Sequence, residues 1–163
     1  MGKLGYYGPK RSKRCSSGIK DIIINNNIVE KVDFPSLGDD RGNLVVLQEL
    51  EGSVPFDIKR VYYLFNTKKG VIRGKHAHKN LTQLAVCVKG SCRFVFDDGE
   101  RKEEVLLNSP TQGILIRSMI WREMHDFSHD CVLLVLADEI YDENDYIRTY
   151  DEFKKLSQYR SYS

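Results

Sequence analysis

"GVIRGKHAHKNLTQLAVCVKG", residues 70–90, decides how this chain folds. Two histidines stand one residue apart, His76 and His78, with Arg73, Lys75 and Lys79 around them. On a strand, positions two apart point the same way, so both imidazoles face one space. The stretch also carries glycines at both ends and Gln83 five residues after His78.

That spacing resembles the first block of the cupin barrels, G-x5-H-x-H-x4-E-x6-G. Every interval fits, from Gly70 through His76 and His78 to Gly90, and one residue is changed: Gln83 stands where metal-binding cupins carry Glu. In the second block, "SPTQGILIRSMIWREMH" (109–125), Ile116 stands where a further histidine is expected. A catalytic metal needs at least three well-placed ligands and an open position. With an amide and a hydrocarbon at two of them, the sequence predicts no metal and no other cofactor. Two metal-free imidazoles remain suited to moving protons at neutral pH. The bland alternative is a pair of satisfied polar side chains in a pocket without chemistry.

Outward from this block the chain reads as short strands. "NLVVLQEL" (43–50), "IKRVYYLF" (58–65), "TQLAVCV" (82–88), "SCRFVF" (91–96), "RKEEVLL" (101–107), "GILIRSMIW" (113–121) and "CVLLVLA" (131–137) are rich in β-branched and aromatic residues. Lys89-Gly90 reads as one hairpin turn and "DDGE" (97–100) as another. The last strand is almost wholly apolar, as a buried one would be. Only "DENDYIRTYDEFKKLSQY" (142–159), with acids early and lysines late, suits a helix. The expected fold is all-β: one cupin domain, a double-stranded β-helix or jelly-roll barrel, with a short C-terminal helix. Its expected limits are residues 22–155, after a basic flexible segment (1–21) and before a C-terminal tail (156–163).

At 163 residues the chain is long enough for one real core. The net charge of +2 conceals an asymmetry, since six of the 25 Lys and Arg lie in residues 1–20, leaving 19 against 23 acids. The short basic segment on a mildly acidic body argues against nucleic acid as a partner. No apolar run approaches the length of a membrane span, and no signal-peptide core is present. The four cysteines (Cys15, Cys87, Cys92, Cys131) form no CxxC and read as reduced thiols, so a cytoplasmic protein is expected.

Longer stretches carry a closer likeness. "IKRVYYLFNTKKGVIRGKHAHKN", "CVKGSCRFVFDDG", "IWREMHDFS" and "CVLLVLADEIYDENDYIRTYDEF" resemble the dTDP-4-keto-6-deoxyglucose 3,4-ketoisomerases of the WxcM-like group, from about Asp40 to Phe153, about 70% of the chain. The resemblance implies a metal-free dimeric cupin that moves the ketone from carbon 4 to carbon 3, for dTDP-amino-sugar biosynthesis. It implies that His76 and His78 are the proton-transfer pair, with His76 the expected carbon base, and that Tyr62 and Arg41 belong to the site. Family members vary at Arg41 and at Arg122 (WREM here, WHEM elsewhere), and so does the carbon-4 configuration of their products. Arg73 is expected to bind phosphate, Trp121 to stack on substrate, and Gln83 to touch it. Tyr62 and Trp121 have core packing as their plain alternative. Two other readings stay open: a sugar-nucleotide 3,5-epimerase, although no Asp is evident beside His76, and a non-catalytic cupin that senses a sugar nucleotide.

Overall fold

In the computed structural model, residues 27–49 and 53–160 are described; the basic segment 1–21 lies outside them. Twelve strands run in chain order: β1 (Glu30–Asp33), β2 (Ser36–Asp39), β3 (Gly42–Val45), β4 (Arg60–Phe65), β5 (Arg73–His78), β6 (Gln83–Lys89), β7 (Cys92–Asp97), β8 (Lys102–Leu107), β9 (Gln112–Ile116), β10 (Trp121–His125), β11 (Val132–Ala137) and β12 (Tyr146–Ile147). A helix, α1 (Tyr150–Arg160), follows. Five strands form one antiparallel sheet in the order β1-β9-β6-β11-β4, five form another in the order β12-β5-β10-β7-β8, and β2-β3 is a separate hairpin. The all-β cupin-like barrel read from the sequence is what forms. No helix among the described residues is long and apolar enough to cross a membrane.

Alternation of side chains builds the layers. Ala85, Cys87, Ile114, Ile116, Leu133 and Val135 of the first sheet meet Phe94, Phe96, Val105 and Leu107 of the second. The outer face of the first sheet, with Leu84, Val86 and Leu136, is covered by Phe34 and Val54 of the N-terminal half. The outer face of the second packs Ala77, Trp121 and Ile147 on Phe153 of α1. The helix begins where Thr149 accepts from the backbone N–H of Glu152, with Asp151 and Glu152 in its first turn.

Several sequence expectations are corrected. Lys89-Gly90 is not a hairpin turn: β6 and β7 lie in different sheets, and the turn carries the chain between them. The 113–121 run is likewise two strands, β9 and β10, separated by a bend at which Met119 takes a φ of 57°. Both errors have one cause, because in this barrel most consecutive strands go to opposite sheets and apolar runs do not reveal the crossing. The 97–100 turn does join a true hairpin, β7 to β8. The strand expected at 43–50 is short, ending at Val45. The helix begins at Tyr150, after a 3-10 turn (Glu143–Asp145) and β12, and runs through residue 155, across the expected start of the tail.

Candidate active site

The site grows from a bulge. In the β5–β10 ladder Arg122 faces His76, yet Glu123 faces Gly74, so Lys75 is the extra residue, held at a φ of 56°. A bulge shifts the alternation by one. Arg73, three residues before His76, therefore shares its side of the strand, and the same register sets Arg73 opposite Met124. Gly74 permits the close approach, since a Cβ there would stand 2.7 Å from the Arg122 carbonyl oxygen. Gly74, within β5, is thus a packing requirement.

Arg122 is the most unusual side chain of the barrel. It is only 2% exposed. Its Nη2 donates to the Arg117 carbonyl at 3.3 Å, while Nε and Nη1 are buried without partners among the described residues. Burial draws its pKa down to about 10, against Tyr62, Tyr146 and Asp145, which favour the charge. A guanidinium at that pKa stays charged at neutral pH, so a cation waits in the interior with no carboxylate in ion-pair contact among the described residues.

Around it lie the sequence-predicted residues. A cavity of about 30 Å³ is bounded by Tyr62, His76, Gln83, Arg122 and apolar neighbours such as Phe94 and Ile116. A mouth of about 420 Å³ adds Arg60, Arg73, Gly74, Tyr141 and Tyr146, and shares Tyr62, His76 and Met124 with the cavity. Gln83, buried, donates from Nε2 to the Tyr62 hydroxyl at 2.7 Å. Tyr62 shows part of its ring to solvent, but its hydroxyl is held inside, and desolvation raises its pKa. The donor set does not fit a metal: Gln83 spends its amide on Tyr62 and Ile116 is hydrocarbon core, and no group of three ligands occurs among the described residues.

The two histidines are in contact, their ring centroids 4.9 Å apart at 86°. Burial, then the Arg122 charge, lowers His76 to about 4. The same causes in the same order, with His76 third, lower His78 to about 3, opposed by Asp145. Both are neutral at pH 7 and able to accept protons. Tyr146 of β12 lies over the His78 ring at 4.2 Å and near His76 at 5.1 Å.

Three expectations need correction or extension. Trp121 lies on the other face of β10 from Arg122, against Tyr150 and Phe153, and bonds Glu123 rather than facing the cavity. Strand alternation dictates this once Arg122 points inward. Arg41 stands on the β2–β3 turn, 86% exposed and paired with Asp39, and the single chain does not bring it to the histidines. Finally, an acid does stand by the pair: Asp145 meets His78, not His76, through Nδ1 and Oδ2 at 2.9 Å. Sequence reading missed Asp145 and Tyr146, although both lie in the "YDENDYIRTY" stretch (141–150) that carries the family likeness.

Known proteins resemble this chain in sequence and in fold. A TDP-4-oxo-6-deoxy-alpha-D-glucose-3,4-oxoisomerase of Aneurinibacillus thermoaerophilus is 52% identical over 76% of this chain and 88% of its own length. Among solved structures, a TDP-quinovose 3,4-ketoisomerase from Campylobacter jejuni is 44% identical with a TM-score of 0.75, over 81% of this chain and 99% of its own. A mutant 3,4-ketoisomerase from Thermoanaerobacterium thermosaccharolyticum, solved in complex with TDP-4-keto-6-deoxyglucose, is 40% identical with a TM-score of 0.78, over 82% and 96%. The family described as "FdtA: WxcM-like, C-terminal" matches residues 27–158, and this chain belongs to it.

Proposed function

We propose that the protein is a 3,4-ketoisomerase that converts dTDP-4-keto-6-deoxyglucose to a dTDP-3-keto-6-deoxyhexose. The observation that carries the chemistry is the neutral His76 beside the unpaired Arg122 in one small cavity. The carbon-3 proton is acidic because it lies α to the carbon-4 ketone. His76, which lines both cavity and mouth, takes that proton, and the bond electrons form an enediolate. Arg122 stabilises its oxyanion, the interaction that usually contributes most in such steps. His78 moves the proton between oxygens, and return of the carbon proton at carbon 4 completes the isomerisation. In this reading Tyr62, held by Gln83, donates to a sugar oxygen, and Arg73 at the mouth holds the diphosphate.

Incubation with dTDP-4-keto-6-deoxyglucose in deuterated water tests this. Deuterium at carbon 4 of a 3-keto product supports ketoisomerisation. Label at carbons 3 and 5 with the ketone unmoved identifies an epimerase, and no label identifies a sensor.

The enzyme acts as a homodimer in this proposal. Leu37 and Leu44 on the β2–β3 hairpin are more than half exposed, as are Val61, Tyr63 and Phe65 on the outward face of β4. β4 is also a sheet edge, which proteins rarely leave uncovered. A role for Arg41 at a site then requires the partner's barrel. Light scattering should give twice the 18.9 kDa of one chain; a monomer at micromolar concentration would refute the dimer. The free buried thiols Cys87, Cys92 and Cys131 suit a cytoplasmic enzyme.

A further inference from the structure

Asp145 is held from several sides. Its Oδ1 accepts from the backbone N–H of Asn80 at 2.9 Å and from Asn80 Nδ2 at 3.2 Å. Its Oδ2 accepts from the Leu81 N–H at 3.4 Å and lies 2.9 Å from His78 Nδ1. Its own carbonyl accepts from the Lys79 N–H at 2.9 Å. An ionised carboxylate only accepts, so His78 Nδ1 must be the donor. The imidazole is neutral, and its other nitrogen therefore carries a lone pair. That nitrogen, Nε2, is buried and without a partner among the described residues. The pairing of Nδ1 with Asp145 sets the direction of Nε2, and the ring clusters with those of His76 and Tyr146.

We infer that Asp145 is a positioning residue: it fixes the His78 tautomer so that Nε2 is presented bare, as the acceptor for a substrate hydroxyl proton. This rests on the ketoisomerase reading and adds what fits His78 to the oxygen-to-oxygen transfer within it. The O3–H bond breaks and Nε2–H forms as the carbon-3 carbonyl develops; Nε2–H then breaks as O4–H forms. His78 is briefly an imidazolium, and the Asp145 carboxylate at Nδ1 stabilises it. No external oxidant or reductant enters, because one proton crosses between oxygens while His76 moves the other between carbons. A purely structural Asp145 would instead serve only to tie residues 79–81 to 142–145.

The two roles separate in the Asp145→Asn variant. Its amide oxygen can keep both Asn80 bonds, but its NH2 now donates to Nδ1 and forces the His78 proton onto Nε2. Geometry survives and the acceptor is lost, as with the wrong-tautomer variant of a serine-protease triad. Asp145→Ala removes more contacts yet leaves the ring able to choose its tautomer. We expect isomerisation to fall on the order of 10²-fold or more in Asp145→Asn, and less in Asp145→Ala. Wash-in of solvent deuterium at carbon 3 of recovered substrate, which needs His76 alone, should stay within a few-fold of the parent in Asp145→Asn. Nitrogen NMR of histidine-labelled protein should show the His78 proton on Nδ1 in the parent and on Nε2 in Asp145→Asn.

A parent protonated at Nε2 would overturn the inference. So would carbon-3 exchange and isomerisation lost in equal proportion, or an alanine variant less active than the asparagine one. Should the parent neither exchange nor isomerise, the ketoisomerase reading fails, and with it the chemical role, whatever the tautomer. If Asp145→Ala does not fold, the tautomer and the exchange split still decide.

Discussion

The Gln83 amide reaches over the width of β11 to hold the Tyr62 hydroxyl at 2.7 Å, joining β6 to β4 inside the barrel. At this spacing metal-binding barrels carry a carboxylate ligand. Here the position acts on a phenol. Gln83→Leu should lower kcat about tenfold, about 1.4 kcal/mol of transition-state stabilisation, with little change in KM. Steady-state kinetics checks this, and an unchanged kcat would detach Gln83 from Tyr62's role. Elemental analysis of the parent should find far less than one transition metal per chain. One metal per chain, lost with activity on EDTA treatment, would contradict the reading of Gln83 and Ile116.

His76→Asn and His78→Asn each keep a polar side chain of similar size while removing the titratable nitrogen pair. His76→Asn should lower turnover on the order of 10²-fold or more, with His78→Asn also impaired. The carbon-3 exchange assay distinguishes the two, because only His76→Asn should abolish it. Near-parental turnover in both variants would remove the pair from catalysis.

How much of this could be read from the chain depended on what kind of relation carried it. His76 and His78 are local, two residues apart, and the spacing alone set them on one strand. Arg73 sharing their side was not legible by alternation, because the Lys75 bulge reverses the phase. Asp145 meets His78 across 67 residues of sequence. No periodicity marks such a pairing; only the closure of β12 onto β5 creates it. Trp121 failed for the opposite reason. Its neighbour Arg122 faces inward, and a strand cannot point both to one side.

The histidine pKa values make two pH dependences. Both groups are near 4 or below when folded, against an ordinary value of 6.5. Well above 6.5 neither state binds a proton and the histidines add no slope. As pH falls from 6.5 towards 4, the unfolded chain takes up protons that the folded barrel refuses, so stability drops. Each histidine contributes a slope approaching about 1.4 kcal/mol per pH unit in that window. Denaturant melts of the parent and of His76→Asn should differ in slope between pH 6.5 and 4.5, and identical slopes would refute burial of a neutral His76. The acid limb of kcat/KM, read on the free enzyme, should likewise fall well below 6.5.

Arg122 sets stability against function. Its guanidinium is withdrawn from water, and among the described residues it has one long hydrogen bond and two nitrogens without a partner. An uncompensated buried charge is costly, and replacing it with an apolar side chain of similar length relieves that cost. Arg122→Met should therefore raise the unfolding free energy, by about 1–3 kcal/mol, while isomerisation falls on the order of 10²-fold or more because the enediolate loses its cation. A charge present only for the fold predicts the reverse pairing, a destabilised barrel with turnover kept in the folded fraction. Arg122→His gives the intermediate case. A buried imidazole there should be neutral at pH 7 because burial, the first cause that lowers His76, acts on it too, so it can donate a hydrogen bond but no full charge. Its turnover should lie between those of the parent and Arg122→Met. The hexose, no longer held by the guanidinium, should give a changed ratio of carbon-4 epimers, read by NMR of the product. Chemical melts and turnover measured on the same preparations decide the matter: a less stable Arg122→Met with parental kcat would place Arg122 in the scaffold and leave the enediolate to other groups.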